Sequence, residues 1–343
     1  MGRTTHQNLL DTETIPDRII DRSPEQETLR AAVSHKGNQH LYLHGPRGTG
    51  KTLLVRHALT TCSDTTCYLS CTAADTQYKV LSKLYARLIG DSINPGYHTA
   101  QLQEWLTDHL QNAPTILVLD DLAFLLQNDG CDLLYFLTRL GQTAPLTIVG
   151  ISAYYPTLAS VVDDRAYSSL RPQQIPIEPY SMSQAAQILR TRVEEVVVPG
   201  FVTTSAIDRI TTTSTNITLG LHWLARAAAT ADDMITAELV NTVQRDALRQ
   251  YRTACLTAFT SHHRLVLRAI EQLTSDGSSV YTGPVYDRYT ELCRFANTSP
   301  LTARRISDYL IHLELLDLID ITHHDGGTTG KTREIRLMPI QQL

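Results

Sequence analysis

The rhythm of apolar and polar positions changes twice along this chain. Between residues 39 and 152, short apolar runs alternate with amphipathic stretches of helical length. The pattern predicts a strand at Leu41-Tyr42-Leu43, a helix from 50 to about 59, and a strand at 67–71. A helix at about 77–89, a strand at 115–119, a helix at about 132–140 and a strand at 146–152 follow. Strands separated by helices predict βαβ units, and therefore a parallel sheet with helices on both faces. The runs Ile116 to Leu119 and Ile148 to Ile151 are apolar without a break, as strands covered on both sides must be. Upstream, Ser23 and Pro24 before Glu25 are a helix start, with Pro24 at the first helical position. Residues 1–14 are polar and aperiodic, and read as a disordered tail.

After about residue 180 the strand signal stops. Amphipathic helices are predicted at about 183–196, 205–212, 219–229 and 236–259, which together make a small all-helical lid. From 261 the pattern changes again, to helices at about 262–273, 284–296 and 302–315. These lead into Leu318-Ile319-Asp320-Ile321, the Gly-rich turn Asp325-Gly326-Gly327-Thr328-Thr329-Gly330, and a strand from Arg333 to Leu337. Three helices and a two-stranded hairpin spell a winged helix. The expected division is a tail at 1–14, an α/β base domain at 15–180, a lid at 181–258 and a winged-helix domain at 259–343.

The length of 343 residues suits two or three domains. With 42% apolar and 19% charged residues and no apolar run near the roughly 20 residues of a membrane span, a membrane protein is excluded. The N-terminus lacks an apolar signal region, so a cytoplasmic, nucleoid-associated location and a reducing environment are expected. The six cysteines include no Cys-x-x-Cys pair and are expected to be buried free thiols, with Cys62, Cys67 and Cys71 on one strand whose alternate faces would separate any ligands. A net charge of −5 gives no global attraction to nucleic acid, so any DNA contact must come from a local basic patch.

One motif fixes the chemistry of the first half. Gly45-Pro46-Arg47-Gly48-Thr49-Gly50-Lys51-Thr52 matches the full P-loop signature, after a strand and opening a helix. Glycines let backbone N–H groups curl around phosphates, Lys51 reaches the terminal phosphate oxygens, and the Thr52 hydroxyl is placed to ligate Mg²⁺. ATP or ADP with Mg²⁺ is the expected ligand. A second part is the apolar strand Thr115-Ile116-Leu117-Val118-Leu119 ending in Asp120-Asp121. Asp120 is expected to hold Mg²⁺ through water, and Asp121 sits where a longer Glu would polarise the attacking water. An acid one methylene short of its target weakens hydrolysis more than binding.

Further marks lie along the chain: Pro16-Asp17-Arg18-Ile19 before the P-loop, Asp120-Asp121-Leu122, and Ile151-Ser152. Others are Arg165-Ala166-Tyr167-Ser168-Ser169-Leu170, Pro179-Tyr180 followed by Ile188-Leu189-Arg190-Thr191-Arg192, and Pro300-Leu301-Thr302-Ala303-Arg304-Arg305-Ile306-Ser307-Asp308-Tyr309-Leu310. In these the sequence, over about residues 15–340, resembles the archaeal origin-recognition and cell-division-control initiators, AAA+ ATPases with a C-terminal winged helix. The resemblance implies that Ile19 and Ile20 wall an adenine pocket and that Tyr180 and Arg192 meet the nucleotide from the lid. It also implies two departures besides Asp121. Ala153 stands where an Asn usually ends the sensor strand, and Thr218 where an Arg usually senses the γ-phosphate. Arg165 or Arg171 could serve a neighbouring subunit as an arginine finger, or be a plain surface arginine.

For the C-terminal domain, the third helix begins near Thr302, with Ser299 or Thr302 as cap and Arg304 and Arg305 in its first turn. Ile306, Leu310, Leu313 and Leu316 keep the opposite face in the core. Such helices present their N-terminal residues to the major groove. His323, His324, Lys331, Arg333 and Arg336 form a basic wing suited to the DNA backbone. The resemblance also implies a second DNA contact from an insertion in the ATPase domain, for which 91–99 is the candidate. Two readings follow. One is a replication initiator that binds double-stranded origin DNA, joins other initiator subunits and helps load the replicative helicase. The other is a DNA-binding regulator that holds nucleotide without hydrolysing it.

Overall fold

In the computed structural model the described residues are 15–16, 19–34, 39–90, 97–111, 114–195, 199–274, 277–324 and 332–343. They fall into two compact units, Glu13–Pro179 and Tyr180–Leu343.

In the first unit, α1 (Ser23–Ser34) precedes β1 (Leu41–His44) and α2 (Lys51–Leu59). Then come β2 (Thr65–Ser70), α3 (Gln77–Ile89), α4 (Thr99–Leu110), β3 (Thr115–Asp120), α5 (Leu122–Leu126), α6 (Gly130–Leu140), β4 (Leu146–Ser152), α7 (Asp164–Leu170) and β5 (Gln173–Pro176). The strands form one parallel sheet in the order β2-β3-β4-β1-β5. The alternation of strands and helices therefore does build the doubly covered sheet. Every residue of β3 and β4 is buried, and Leu29, Val33, Leu54, Val55, Val118 and Ile151 share one core under the sheet. Crossing from β1 to β3 and β4 places the ends of these strands side by side, where an α/β sheet offers its binding crevice.

Helix α4, strand β5 and the cysteine cluster depart from the sequence expectation. Most of the segment expected to be a DNA-touching insertion, 91–96, lies outside the described residues, and helix α4 begins at Thr99, its Leu102, Leu106 and Leu110 buried on one face. The ring of Tyr97 lies 6.0 Å from that of Tyr85, which packs at 4.4 Å on Trp105. Strand β5 adds an edge with one buried side chain, Ile175. Of the three clustered cysteines only Cys67 lies in β2, with Cys62 in the preceding turn and Cys71 just past the end. Cys62, Cys131 and Cys255 are half-buried rather than buried.

In the second unit, α8 (Met182–Glu194), α9 (Thr204–Thr213), α10 (Ile217–Thr230) and α11 (Ala237–Cys255) enclose a core of Leu189, Ile210, Trp223, Leu224, Val240 and Ala247. Trp223 is fully buried and its indole Nε1 donates to the Val240 carbonyl at 2.8 Å, so the largest side chain of the bundle carries no orphan donor. Next follow α12 (Ser261–Leu273), β6 (Val280–Tyr281), α13 (Thr282–Phe295), α14 (Ala303–Leu315), β7 (Ile319–His324) and β8 (Thr332–Leu337). The sheet here has a third short strand, β6 pairing with β8, which the sequence pattern did not show. Residues expected in the lid and in the winged helix share this one unit. Arg252 of α11 is buried, with Nη1 3.1 Å from the Glu271 carboxylate of α12 and Nη2 donating to the Met338 carbonyl at 3.0 Å.

Candidate functional sites

The phosphate loop is built by three glycines with positive φ, Gly45 (148°), Gly48 (74°) and Gly50 (84°). At Gly45 a Cβ would sit 2.1 Å from the Ile177 carbonyl oxygen, so no side chain fits where the loop leaves β1 beside the strand end. Gly50 in the left-handed region turns the chain into α2, whose first-turn amides face out of the helix N-terminus towards any anion held there. Lys51 is 7% exposed, and its Nζ donates to the carbonyl oxygens of Gly45 and Pro46 at 2.6 Å each. The loop thus closes around its own ammonium group.

Thr52, on the next residue of α2, donates to Asp120 Oδ2 at 2.9 Å, and the Asp121 amide donates to Asp120 Oδ1 at 2.9 Å. The Tyr68 hydroxyl of β2 donates to the same Oδ2. Asp120 is buried, and burial together with the Asp121 carboxylate raises its pKa, against which the Tyr68, Thr52 and backbone donors act. The Tyr68 phenol is pushed well above its usual range, by burial first and by the Asp120 charge second. Arg56 lies 4.9 Å over the Tyr68 ring. These are hard oxygen donors on one side and a buried ammonium at a helix N-terminus on the other, a donor set that fits a Mg²⁺–nucleotide: the oxygens would suit the metal, and the loop and Lys51 would suit the phosphates.

Asp121 does not extend into open space. Its backbone is left-handed, with φ at 53°, it is the residue before α5, and its Oδ1 lies 3.1 Å from Arg47 Nη2 of the loop. Ala153, the expected sensor position, is half-buried. The hydroxyl of the adjacent Ser152 accepts from the amides of Tyr154 (3.3 Å) and Tyr155 (3.2 Å), so it serves the turn after β4. Ile19 packs against the core that holds Leu29 and Leu54, and Ile20 is half-buried in the same unit. Tyr180, Arg192 and Thr218 belong to the second unit. There Tyr180 is buried, Arg192 half-buried in α8, and Thr218 lies in the first turn of α10, which the Asn216 side chain caps by accepting from the Leu219 amide at 3.0 Å.

In the winged helix, Thr302 is the cap of α14, accepting from the Arg305 amide at 3.5 Å. Arg304 and Arg305 are both exposed, whereas Ile306, Leu310, Leu313 and Leu316 are buried. The helix therefore presents its cationic first turn outward from a fixed apolar seat. Lys331 lies outside the described residues. Arg333 is half-buried opposite His323 in the β7–β8 register, and Arg336 is exposed. The wing is less basic than its composition suggests. Glu334 accepts from His324 Nε2 at 2.8 Å and from Ser279, with Arg336 at 3.7 Å, and these donors lower its pKa.

Known proteins share both halves. Residues 18–149 match the AAA ATPase domain, and residues 254–342 match the C-terminal winged-helix domain of CDC6. The ORC1-type DNA replication protein 1 of Archaeoglobus fulgidus is 28% identical, covering 97% of this chain and 87% of that one. The ORC1-type DNA replication protein of Methanocorpusculum labreanum is 26% identical, covering 94% and 83%. Among solved structures, the Aeropyrum pernix ORC1 protein in complex with DNA is matched with a TM-score of 0.73 and 26% identity, over 96% of this chain and 92% of that one. Over nearly its whole length this chain is similar to the archaeal ORC1-type replication proteins. An Aeropyrum pernix ORC2 protein in ADPNP–ADP complexes shares the fold, with a TM-score of 0.56 and 20% identity.

Within this ORC1-like chain, sequence reasoning passed over Tyr68 and the Arg47–Asp121 pair. Tyr68 lies on β2 opposite Val118 of β3, and only that register brings its hydroxyl to Asp120. The arginine-finger candidates differ from one another. Arg165 pairs with Asp132 at 3.1 Å and lies 4.2 Å over the Tyr135 ring, so its guanidinium is engaged within its own unit. Arg171 is exposed just past α7, with a φ of 36°. Among the described residues, no helix is long and apolar enough to cross a membrane.

Proposed function

We propose that this chain is a DNA replication initiator that binds ATP or ADP in the loop Gly45 to Thr52 and double-stranded origin DNA through α14 and the wing. The observation that carries the reading is the pairing of a closed phosphate loop, with Thr52 and Asp120 in contact, to a winged helix whose first turn turns Arg304 and Arg305 outward. Thr52 and Asp120 would hold Mg²⁺, which when bound neutralises charge on the nucleotide phosphates. Lys51 fixes the phosphates, and Tyr68 holds the Asp120 carboxylate in register. Nucleotide serves as a switch, with Tyr180 and Arg192 reporting it to the lid, and the output is recruitment of further initiator subunits and the replicative helicase. An initiator acts in the nucleoid of the cytoplasm.

A nucleotide-bound regulator with little turnover is the second reading. It is favoured by one observation, that Asp121 is tied to Arg47. A direct test of the first is duplex binding by fluorescence anisotropy, with purified chain free, with ADP and with a non-hydrolysable ATP analogue. Origin-region duplex should bind more tightly than random duplex, and the preference should change with the nucleotide. Equal affinity for both duplexes in all three states would defeat the initiator assignment.

A further inference from the structure

The P-loop supplies one cation more than phosphate binding needs. Arg47, between Pro46 and Gly48, turns its guanidinium to Asp121, 3.1 Å from Nη2 to Oδ1. Both side chains are mostly shielded, 20% and 26% exposed, so water screens this contact less than it would a surface pair. Asp121 is held from its other end as well. A left-handed backbone fixes the direction of its side chain, and its carbonyl accepts from the Phe124 amide at 3.1 Å as α5 begins. The neighbouring Asp120 is fixed by Thr52, Tyr68 and the Asp121 amide. The acid best placed to act on water is therefore clamped by the loop that holds the phosphates.

We propose that the Arg47–Asp121 ion pair is a built-in brake on ATP hydrolysis. The inference rests on the nucleotide-site reading above and assigns its regulation. In hydrolysis a water oxygen bonds to the γ-phosphorus, the bond to the β–γ bridging oxygen breaks with its electron pair leaving on ADP, and the water proton passes by way of a carboxylate to the phosphate product. Asp121 can orient that water only with a free oxygen turned towards it. Arg47 competes for that oxygen and withdraws charge from it. Whatever draws the guanidinium away, such as an added anion from a partner or a DNA phosphate, releases the acid and couples turnover to assembly. Arg47 is thus a positioning residue, acting through Asp121.

The test uses the purified full-length chain and four variants: Arg47→Gln, Arg47→Lys, Asp121→Asn, and Arg47→Gln combined with Asp121→Asn. Nucleotide affinity is measured by titration with fluorescent ATP and ADP analogues, the Mg²⁺ dependence of that binding is followed, and hydrolysis is measured in single turnover. Arg47→Gln should hydrolyse ATP about tenfold or more faster than wild type. The gain should vanish in the double variant, and Arg47→Lys, which keeps the charge on another head group, should accelerate less than Arg47→Gln. Independently of turnover, Arg47→Gln should lower the Mg²⁺ concentration for half-saturation several-fold, because the acidic pair loses a competing cation. If Arg47→Gln binds nucleotide and turns over no faster than wild type, the brake is overturned while the nucleotide site stands. An acceleration that survives Asp121→Asn overturns it too, and so does a loss of ATP and ADP affinity with slower turnover, which marks Arg47 as a loop-shaping residue. If neither wild type nor any variant binds nucleotide, the site reading itself has failed.

Discussion

The two working ends of this chain handle charge in opposite ways. At the phosphate loop, Lys51 and Asp120 are buried, Arg47 and Asp121 are largely shielded, and each has a named partner within about 3 Å. At the winged helix, Arg304 and Arg305 stand exposed in the first turn of α14, with only the helix's apolar face anchoring them. A buried cation beside backbone carbonyls and a helix N-terminus prepares a site for a small, dense anion that replaces water completely. An exposed arginine on a rigid seat suits a large, hydrated polyanion met across a surface. The first design gains specificity from enclosure, and the second gains affinity from charge at the expense of salt tolerance.

The comparison can be broken by substitution. Lys51→Ala removes the enclosed cation and should lower ATP affinity at least about 100-fold, checked by calorimetric titration. A loss under tenfold would mean that the enclosure does not hold phosphate. Changing Arg304 and Arg305 together to Ala should weaken duplex binding by about 30-fold and flatten the dependence of log affinity on log salt by about one to two. If the affinity drops and the slope does not, those side chains read something other than phosphate. ATP affinity should stay within about twofold in that double variant, while Lys51→Ala should leave nucleotide-free DNA binding nearly intact.

Both units should respond alike to acid, because each buries a neutral histidine. His40, buried just before β1 with Nδ1 accepting from the Ile148 amide, has its pKa lowered by burial to about 4. His263 in α12 stacks on Tyr309 and hydrogen bonds to Thr260 and His312, and burial followed by its His312 and His262 neighbours lowers its pKa to about 3. Unfolded, these imidazoles take up protons below about pH 6.5, whereas the folded chain keeps them neutral. Stability should therefore be full above pH 6.5 and fall as pH drops towards 4, by about 1–2 kcal/mol per histidine at pH 5. Urea midpoints at pH 7 and pH 5 decide it. A profile flat over that range would show that neither imidazole is held neutral.

How much of this could be read from the sequence depended on whether a feature was local. The P-loop is contiguous, so its glycines, Lys51 and Thr52 carry their geometry in their spacing, and Asp120 ends an apolar strand whose place in a parallel sheet follows from the alternation of elements. Tyr68 and the Arg47–Asp121 contact are not local: they depend on the β2–β3 register and on the turn after β3, neither of which leaves a pattern in the chain. Helix α4 did have a signal, Leu102, Leu106 and Leu110 at fourfold spacing, beside a segment expected to be a loop. Strand β5, with one buried side chain, and the two-residue β6 are too short for any period to register. In the winged helix the burial of Ile306, Leu310 and Leu313 followed from the helical period, and so did the exposure of Arg304 and Arg305. The half-burial of Arg333 and the attraction of Glu334 to its cationic neighbours arise only once the hairpin closes.

The buried guanidinium of Arg252 has a mechanical meaning. Helix α11 runs 19 residues, about 28 Å at the helical rise, and near its far end this side chain grips both α12 and the segment after β8. Twisting the helix against the winged helix would strand a positive charge away from water, at the cost of several kcal/mol. The shaft and the winged helix therefore turn together, and torque applied to the helical bundle arrives at α14 with little lost to slack.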